Sequence, residues 1–341
     1  MSPLTRRTLI KSAAVATAAV AGGPALSAGQ ASAATFVKGA DISWLPQMEA
    51  GGYTFRNSSG TQQDLFTILK GYGLGAVRLR TFVNPSNDPG NGHCSIAETA
   101  ALAKRAKAAG MQVMIDYHFG DTWNSVGTQK PPAAWQNMSY SQMLDAMYDY
   151  VYHTMNVVKA NGVTPAWVQI GNEINSGICG TTGSLAHHPD QMTGLLNAAH
   201  DMVKEVFSGA QVLIHLAQPQ NYDSITAFLN AYRDHGGAWD VTAFSSYGSA
   251  GVAAGIVGNM NSARKTYGKP VMQVEFGGRY DRAAATEAAL QAYISNLKSI
   301  GALGIFYWEP EVYAPFNTYN MGAWDPSTRR PTSAMDGFRN A

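Results

Sequence analysis

The sequence is poor in charge. Of its 341 residues only 14% are Asp, Glu, Lys or Arg, and 24 basic residues nearly balance 23 acidic ones. If residues 1–33 are removed, three positive charges and no negative ones go with them, so the net charge falls from +1 to −2. Nucleic-acid binding depends mainly on phosphate contacts, and no basic stripe remains to supply them. The composition therefore argues against a nucleic-acid partner and suits a neutral or mildly acidic substrate.

The signatures of several enzyme classes are also missing. The sequence contains no CxxC or HExxH metal motif, no Walker loop and no G-x-S-x-G nucleophile elbow. The bare pair His187-His188 precedes Pro189 and is interpreted as solvated loop, not as metal ligands. We therefore expect no metal and no other cofactor. Apart from the N-terminal stretch, no apolar run is long enough to span a bilayer.

The N-terminal stretch has the pattern of an export signal. Arg6-Arg7 and Lys11 form a basic region, an Ala-rich and mildly apolar run follows, and Ala31-Ser32-Ala33 fits a cleavage site. The arginine pair resembles a bacterial twin-arginine signal; the alternative is a Sec signal that happens to contain two arginines. Both interpretations predict a signal peptide at 1–33, a mature domain at 34–341 and a secreted, extracellular protein.

Strand-like and helical segments alternate along the rest of the chain, with no internal repeat. Helical patterns are clearest at 95–110, 141–162, 190–207 and 287–301. Eight strand-like runs lie at 37–44, 76–83, 112–119, 166–173, 211–218, 240–247, 270–277 and 303–310. Eight strands that alternate with helices predict a parallel sheet, closed as a single-domain (β/α)8 TIM barrel. An open doubly wound sheet would instead bring a glycine-rich phosphate loop after its first strand, where this chain has Leu45-Pro46-Gln47-Met48.

Only two cysteines are present, Cys94 and Cys179. Export makes a disulfide permissible, and both residues fall in loops on the same predicted face, after the second and fourth strands. We therefore expect a Cys94–Cys179 disulfide. The alternative is two unpaired thiols, because sequence alone does not fix the distance between them.

Polar residues gather at the predicted carboxyl ends of the strands, where the active sites of (β/α)8 barrels lie. From the first strand to the last they are Asp41, Arg78, Arg80, Asp116, His118, Asn172, Glu173, His215, Tyr247, Glu275, Trp308 and Glu309. At the other ends of the strands such residues would be interpreted as structural. At these ends they predict an active site.

Glu173 and Glu275 are the candidate catalytic residues. They end the fourth and seventh predicted strands, which face each other across a small barrel. Glycoside hydrolysis needs two carboxylates that flank one bond, one as acid and the other as nucleophile or base. The alternative for each is a structural carboxylate in a salt bridge. A pair at facing strand ends favours catalysis, partly by analogy with other barrels.

The tryptophans fall into two groups. Flat aromatic rings pack against the apolar faces of sugars, and five tryptophans at strand carboxyl ends or in the loops after them are candidates for this: Trp44, Trp123, Trp135, Trp308 and Trp324. The alternative for these five is that they pack the loops down. Trp167 and Trp239 lie at strand amino ends and are assigned to packing.

Five segments taken together resemble glycoside hydrolase family 53. They are KGADISWLPQMEAGGYTF (38–55), VRLRTFVNP (77–85), DYHFGDTW (116–123), VQIGNEI (168–174) and FYWEPE (306–311). The family consists of endo-β-1,4-galactanases of clan A, which are retaining enzymes on a (β/α)8 barrel. The resemblance, from about Phe36 to the C-terminus, implies cleavage of galactan or type I arabinogalactan. We expect a monomer with a polysaccharide substrate and neither a nucleic-acid nor a membrane partner.

The resemblance also implies roles for single residues. Glu173 would be the general acid/base, Glu275 the nucleophile, and Asn172 a partner of the 2-hydroxyl of the reacting sugar. Arg80 would lie beside the nucleophile and lower its pKa, although Arg78 shares its strand face and is the alternative. The other residues expected to bind substrate are Asp116, His118, Asp121, Trp123, His215, Tyr247 and Trp308.

Two segments depart from the family pattern. After the sixth strand the family carries paired tyrosines, a proline and a tryptophan, whereas residues 245–251 here read SSYGSAG. After DTW, residues 124–127 read NSVG in place of an acidic, proline-containing run. Both segments touch substrate subsites, so two alternatives stay open: a clan A hydrolase of another β-glycan such as glucan or mannan, and a non-catalytic glycan-binding barrel. Calcium occurs in some bacterial relatives, but the sequence shows no convincing ligand cluster.

Overall fold

Eight of the strands close into a parallel barrel. The computed structural model describes residues 35–341, with strands β1 (Val37–Asp41), β2 (Ala76–Thr81), β3 (Gln112–Tyr117), β4 (Trp167–Ile170), β5 (Gly177–Ile178), β6 (Gly183–Ser184), β7 (Gln211–Ala217), β8 (Val241–Ser245), β9 (Val271–Phe276) and β10 (Gly304–Trp308). The barrel order is β1-β10-β9-β8-β7-β4-β3-β2, and β1 pairs with both β10 and β2. Each of the eight predicted strand-like runs contains one barrel strand, so the (β/α)8 prediction is confirmed. The short β5–β6 hairpin was not predicted.

Helices surround the barrel. They are α1 (Leu45–Ala50), α2 (Leu65–Gly71), α3 (Ile96–Ala108), α4 (Tyr140–Ala160), α5 (Pro189–Val206), α6 (Tyr222–Asp234), α7 (Ala250–Tyr267), α8 (Ala283–Ser299) and α9 (Asp336–Arg339). Capping boxes begin two of them: Ser95 with Glu98 at α3, and Ser139 with Gln142 at α4. The four clearest helical patterns correspond to α3, α4, α5 and α8. No helix in the described part of the chain has the length and apolarity to cross a membrane.

The register of β9 shifts against both of its neighbours. Phe244 of β8 pairs with Gln273, but the next residue, Ser245, pairs with Glu275. Strand β9 therefore carries one extra residue just before Glu275, and the same extra residue appears against β10. Such a bulge re-aims the side chains around it, here at the carboxyl end of the barrel.

The tryptophans divide differently from the prediction. Trp167 packs against Phe306 inside the barrel (ring centroids 6.3 Å apart) and Trp239 packs against Tyr232 (5.3 Å), so both assigned packing roles are confirmed. Trp135 and Trp324 are also buried in the core, and so they pack loops instead of facing a ligand. A buried indole is stabilised by the apolar area it removes from water, which explains why these two rings turn inward.

Candidate active site

A sharp turn after β4 places Glu173 at the mouth of the barrel. Gly171 has φ 99°, and a Cβ there would lie 2.6 Å from the Ile174 Cγ2 atom, so only glycine fits. Glu173 itself has φ 50°. A non-glycine residue in the left-handed region is uncommon, costs about 1–3 kcal/mol and is found mostly at functional sites. The turn explains why a carboxylate directly follows a buried strand: the backbone folds back and exposes the side chain to the open cavity above.

Three groups hold Glu173 in place. The Ser245 hydroxyl donates a hydrogen bond to Oε1 (2.6 Å), and the Val126 N–H donates to Oε2 (3.2 Å). The Glu173 backbone N–H donates to Nδ1 of His215 (3.3 Å). Sequence analysis did not single out Ser245 as a contact of the acid, and no motif signals it.

Glu275 lies in the same site at the end of β9. Its Oε1 is 2.9 Å from a guanidinium nitrogen of Arg78, and its Oε2 accepts a hydrogen bond from the Tyr247 hydroxyl (2.8 Å). Ser245, whose hydroxyl reaches Glu173, is the direct β8 neighbour of Glu275. The structure therefore brings the two predicted catalytic carboxylates into one site, where the charge of Glu173 acts on Glu275.

Arg78, and not Arg80, is the cation beside Glu275. Arg78 also pairs with Asp41 and Asp116, each at 2.9 Å, and is buried. Arg80 pairs with Glu309 and, at 3.5 Å, with Asp41. The two arginines share one face of β2 but are two residues apart, about 6.6 Å along the strand. The sequence pattern could not decide between them, and the assignment to Arg80 is wrong.

Burial raises the pKa of Glu275 to about 8. Arg78 and the Tyr247 hydroxyl lower this pKa because they stabilise the carboxylate, whereas the nearby Glu173 raises it further. The expected lowering of the pKa by an adjacent arginine is therefore outweighed by burial. Because Glu173 and Glu275 interact, the raised pKa belongs to the pair and not to one residue. The pair therefore retains one proton at neutral pH.

This raised pKa predicts a pH-dependent stability. Between pH 4.5, the ordinary pKa of a glutamate, and pH 8, the folded protein keeps one proton in the Glu173–Glu275 pair that the unfolded chain loses. Stability must therefore fall as the pH rises through this window. The side chain in Glu275→Gln cannot ionise. We therefore expect the melting temperature of this variant to rise relative to that of the unmodified protein as the pH increases from 5 to 8. The expected shift is roughly 2–4 °C for each kcal/mol of unfolding free energy that the unmodified protein loses.

Thermal unfolding of both proteins at several pH values measures the effect. Glu205→Gln, at an exposed position of α5, is the matched control for removing one carboxylate. A difference in melting temperature between Glu275→Gln and the unmodified protein that stays constant with pH would contradict the prediction.

Three residues that were expected to touch substrate lie behind the site. Asp116 and His215 are 0% exposed and His118 is 2% exposed. Asp116 is 2.9 Å from Arg78 and 3.2 Å from His118, and His215 supports the backbone of Glu173. Burial lowers the pKa of His215 well below its usual value, which keeps the ring neutral. These side chains position the catalytic groups, so their assignment to direct substrate contact is wrong.

Asn172 and Asp121 are both engaged by the protein itself. Oδ1 of Asn172 accepts from Arg78 (2.9 Å), and its Nδ2 donates to the Asn124 carbonyl (2.9 Å). Asp121 accepts from the backbone N–H groups of Asn84 (3.0 Å) and Ala133 (2.8 Å). Asp121 thus ties two loops together, and Asn172 lies next to Glu173 and beside Arg78.

Three tryptophans form one wall of the cleft. Trp44, Trp123 and Trp308 meet edge to face, with ring centroids 5.2–5.8 Å apart. The Arg80 guanidinium lies 4.4 Å from the Trp123 ring and 4.8 Å from the Trp44 ring, a cation–π arrangement that holds both. With Tyr319 these rings line a cavity of about 430 Å³. Trp123 and Trp308 lie where the sequence predicted a sugar-binding surface.

A second cavity, of about 640 Å³, adjoins Glu173. Its walls come from the segments after β3, β4, β7 and β8, and no tryptophan lines it. The lining residues are Ser125, Val126, Glu173, Ala217, Gln218, Gln220, Ser245, Ser246, Tyr247, Gly248, Val252 and Ile256. We refer to this cavity as the Glu173 pocket.

The expected disulfide is not formed. Cys94 and Cys179 are both free thiols, and both are buried. The Cys94 sulfur is 3.9 Å from the Ser43 carbonyl, and the Cys94 carbonyl accepts from the Phe82 N–H just after β2, whereas Cys179 follows the unpredicted strand β5. Burial raises the pKa of each thiol to about 12, so both remain protonated. Within residues 35–341, no group of three or more His, Cys, Asp or Glu side chains is arranged to hold a metal ion.

Comparisons with known proteins agree with this geometry. The chain is 30% identical to an endo-beta-1,4-galactanase of Bacillus subtilis (strain 168) over 306 residues, covering 81% of this chain and 70% of that protein. It is 30% identical over 307 residues to an arabinogalactan endo-beta-1,4-galactanase of Cellvibrio japonicus (strain Ueda107), covering 81% and 80% respectively. The solved Ignisphaera aggregans GH53 catalytic domain superposes with a TM-score of 0.81 at 28% identity, covering 89% of this chain and 95% of that one.

The family model agrees in extent with the fold. It matches residues 37–330, which begin at the first residue of β1 and include all eight barrel strands. Both candidate carboxylates and the three tryptophans of the cleft wall fall inside the match. The chain is therefore a member of glycosyl hydrolase family 53.

Proposed function

We propose that this protein is a retaining endo-β-1,4-galactanase that cleaves galactan or type I arabinogalactan. The observation that carries the proposal is the arrangement of the two carboxylates. Glu173 accepts a hydrogen bond from Ser245 of β8, and Glu275 is the residue of β9 that pairs with Ser245. The names of the related proteins support β-1,4-galactan as the substrate.

In the first step Glu275 attacks the anomeric carbon. The Arg78 guanidinium and the Tyr247 hydroxyl stabilise Glu275 as the carboxylate, so in the reactive form of the pair the shared proton is on Glu173. Desolvation of the hydroxyl end of the side chain and the adjacent Glu275 carboxylate raise the pKa of Tyr247 well above its usual value, which keeps this hydroxyl a donor. As the bond from Glu275 forms, Glu173 gives its proton to the leaving oxygen. The glycosidic bond breaks and a covalent glycosyl-enzyme remains.

In the second step water replaces the enzyme on the sugar. Glu173, now a carboxylate, takes a proton from a water molecule while the oxygen attacks the anomeric carbon. The bond to Glu275 breaks, and the Arg78 guanidinium and the Tyr247 hydroxyl stabilise the departing carboxylate. Two inversions give net retention, and the proton returns to Glu173.

The two cavities divide the substrate at the cleaved bond. The acid acts on the leaving side, and the Glu173 pocket is lined by Glu173 but not by Glu275. The tryptophan-lined cavity takes the sugars on the other side, with Trp308 under the reacting unit. Stacking on flat rings supplies apolar burial together with orientation.

Two measurements test this function. Release of new reducing ends is compared on linear β-1,4-galactan, arabinose-branched galactan, a β-glucan and a β-mannan, and cleavage of the galactans is expected. NMR of the first product formed from galactan is expected to show the β anomer. A first product in the α configuration would mean inversion and would reverse the assigned chemistry. Activity confined to glucan or mannan would favour a β-glycanase of another specificity. Absence of activity on all four polysaccharides would favour a non-catalytic glycan-binding barrel.

We also propose that the protein is secreted through the twin-arginine pathway. The proposal stands on Arg6-Arg7 and on Ala31-Ser32-Ala33, which lie outside the described residues. N-terminal sequencing of the exported protein is expected to begin at Ala34. Replacing both arginines by lysine is expected to block export, and unchanged export would favour the Sec route.

A further inference from the structure

The two sides of the cleft differ in chemistry. The side away from Glu173 is walled by three tryptophans and measures about 430 Å³. The Glu173 pocket is larger, about 640 Å³, and its only aromatic residue is Tyr247, whose hydroxyl is already bound to Glu275. A linear chain of sugar rings is best held by flat faces, and this pocket offers almost none. Its greater volume leaves room for a bulkier and less planar group.

The walls of the Glu173 pocket expose unusual apolar surface. Within residues 35–341, four large hydrophobic side chains are more than a third exposed, and three of them line this pocket: Val126 (39%), Tyr247 (39%) and Val252 (49%). Exposed apolar residues that gather in one place mark a binding surface. Val126 and Tyr247 belong to the two segments, 124–127 and 245–251, in which the sequence departs from the family pattern. Val252 lies in the first turn of α7.

Polar groups face the same space. Gln218 and Gln220 are exposed, and their side-chain amides bond to no other residue of the described chain. Gln218 also has φ 55° at the end of β7, an uncommon conformation for a residue other than glycine. Gly248 packs closely against its neighbours, because a Cβ there would lie 2.5 Å from the Tyr293 hydroxyl oxygen, 2.8 Å from Val252 and 2.9 Å from Ile256. The pocket combines free amides with an aliphatic wall.

We propose that the Glu173 pocket binds a leaving-group sugar that carries a side branch, so that the enzyme cuts the backbone next to branch points. The aliphatic wall would contact the C–H surface of the branch, and the amides of Gln218 and Gln220 would bind its hydroxyl groups. The chemical class is a β-galactan backbone substituted with single pentose units. This inference rests on the proposed function, since it assumes that Glu173 protonates the leaving oxygen.

The position of the branch in the products is the distinguishing observation. After cleavage, the sugar that occupied the Glu173 pocket becomes the non-reducing end of the released chain. A branch bound there must therefore appear on the non-reducing terminal unit. A branch tolerated elsewhere along the cleft would appear on internal or reducing-end units instead.

The experiment uses one polymer in two states. Arabinose-branched galactan is digested directly, or after its arabinose units have been removed, and the released oligosaccharides are sequenced by mass spectrometry. We expect the branched substrate to be cut at least as fast as the debranched one, with arabinose on the non-reducing terminal unit. Products that carry arabinose only on internal or reducing-end units would overturn the proposal, as would a tenfold preference for the debranched polymer.

A variant pair tests the pocket itself. Val252→Trp fills the pocket from an exposed position of α7, and we expect it to lower the ratio of kcat/KM on branched to kcat/KM on debranched substrate at least tenfold. Ala254→Trp puts the same ring on α7 at an exposed position outside the pocket lining, and its ratio should equal that of the unmodified enzyme. An unchanged ratio in Val252→Trp would overturn the proposal. Failure of the unmodified enzyme on both forms of galactan would instead contradict the proposed function.

Discussion

Replacing Glu275 by alanine is expected to abolish hydrolysis, with a loss on the order of 10⁴- to 10⁶-fold, as for other covalent nucleophiles. The carboxylate is the group that attacks the anomeric carbon, and within residues 35–341 no second carboxylate is bonded to both Arg78 and Tyr247. The Arg78 guanidinium keeps its pairs with Asp41 and Asp116 in the variant. Unfolding is therefore not expected to explain the loss, and a melting curve checks this.

Chemical rescue identifies the role of the removed group. Azide can enter the space left by the Glu275 side chain and attack the same face of an aryl β-galactoside while Glu173 still donates a proton. The expected product is an α-glycosyl azide, because only one inversion has occurred. Glu205→Ala, at an exposed position of α5, serves as the control and should give no azide product. A β-glycosyl azide from Glu275→Ala would show that another residue is the nucleophile.

Replacing Glu173 by alanine is expected to lower activity on polysaccharide about 10²- to 10⁴-fold, which is the usual contribution of a general acid or base. A sugar leaving group needs the proton that Glu173 supplies. An aryl glycoside with a good leaving group needs it much less, so formation of the glycosyl-enzyme should persist with such substrates. Burst kinetics with an activated aryl galactoside would measure this difference.

Azide again separates the roles, because it replaces water in the second step of Glu173→Ala. It attacks the glycosyl-enzyme from the side that Glu173 occupied, so the expected product is a β-glycosyl azide. Ser245→Ala removes only the hydroxyl bonded to Glu173 and should reduce polysaccharide activity far less, without any azide product. Equal losses on polysaccharide and on activated aryl substrates would argue against an acid role for Glu173.

The sequence by itself determined the barrel and its two carboxylates. Eight apolar runs with helices between them leave few architectures open, since parallel strands need crossover helices and buried faces. Once the strands are counted, the location of the site follows from the fold, because loops at the carboxyl ends converge on one mouth. Glu173 and Glu275 were therefore identifiable from their places at the ends of the fourth and seventh strands.

Tertiary structure alone decided which groups surround these carboxylates. Arg78 and Arg80 lie two residues apart on β2, so their side chains point to the same face of the sheet. Their different positions along the barrel axis, together with the bulge in β9, determine that Arg78 and not Arg80 meets Glu275. The alternation of side chains along a strand tells inward from outward, but it does not tell a cleft-lining side chain from one buried beneath it. This is why His215 was predicted to touch substrate and instead supports Glu173 from below.

The same limit applies to contacts between distant loops. The separation of Cys94 from Cys179 depends on how loops pack against different elements, and both thiols prove to be free. The Glu173 pocket likewise arises from segments at the ends of four different strands, which meet only in the folded chain. Local sequence fixes strand, helix and turn because those depend on near neighbours. Burial, pKa values and cavity shape depend on packing across the barrel, so only the folded structure reveals them.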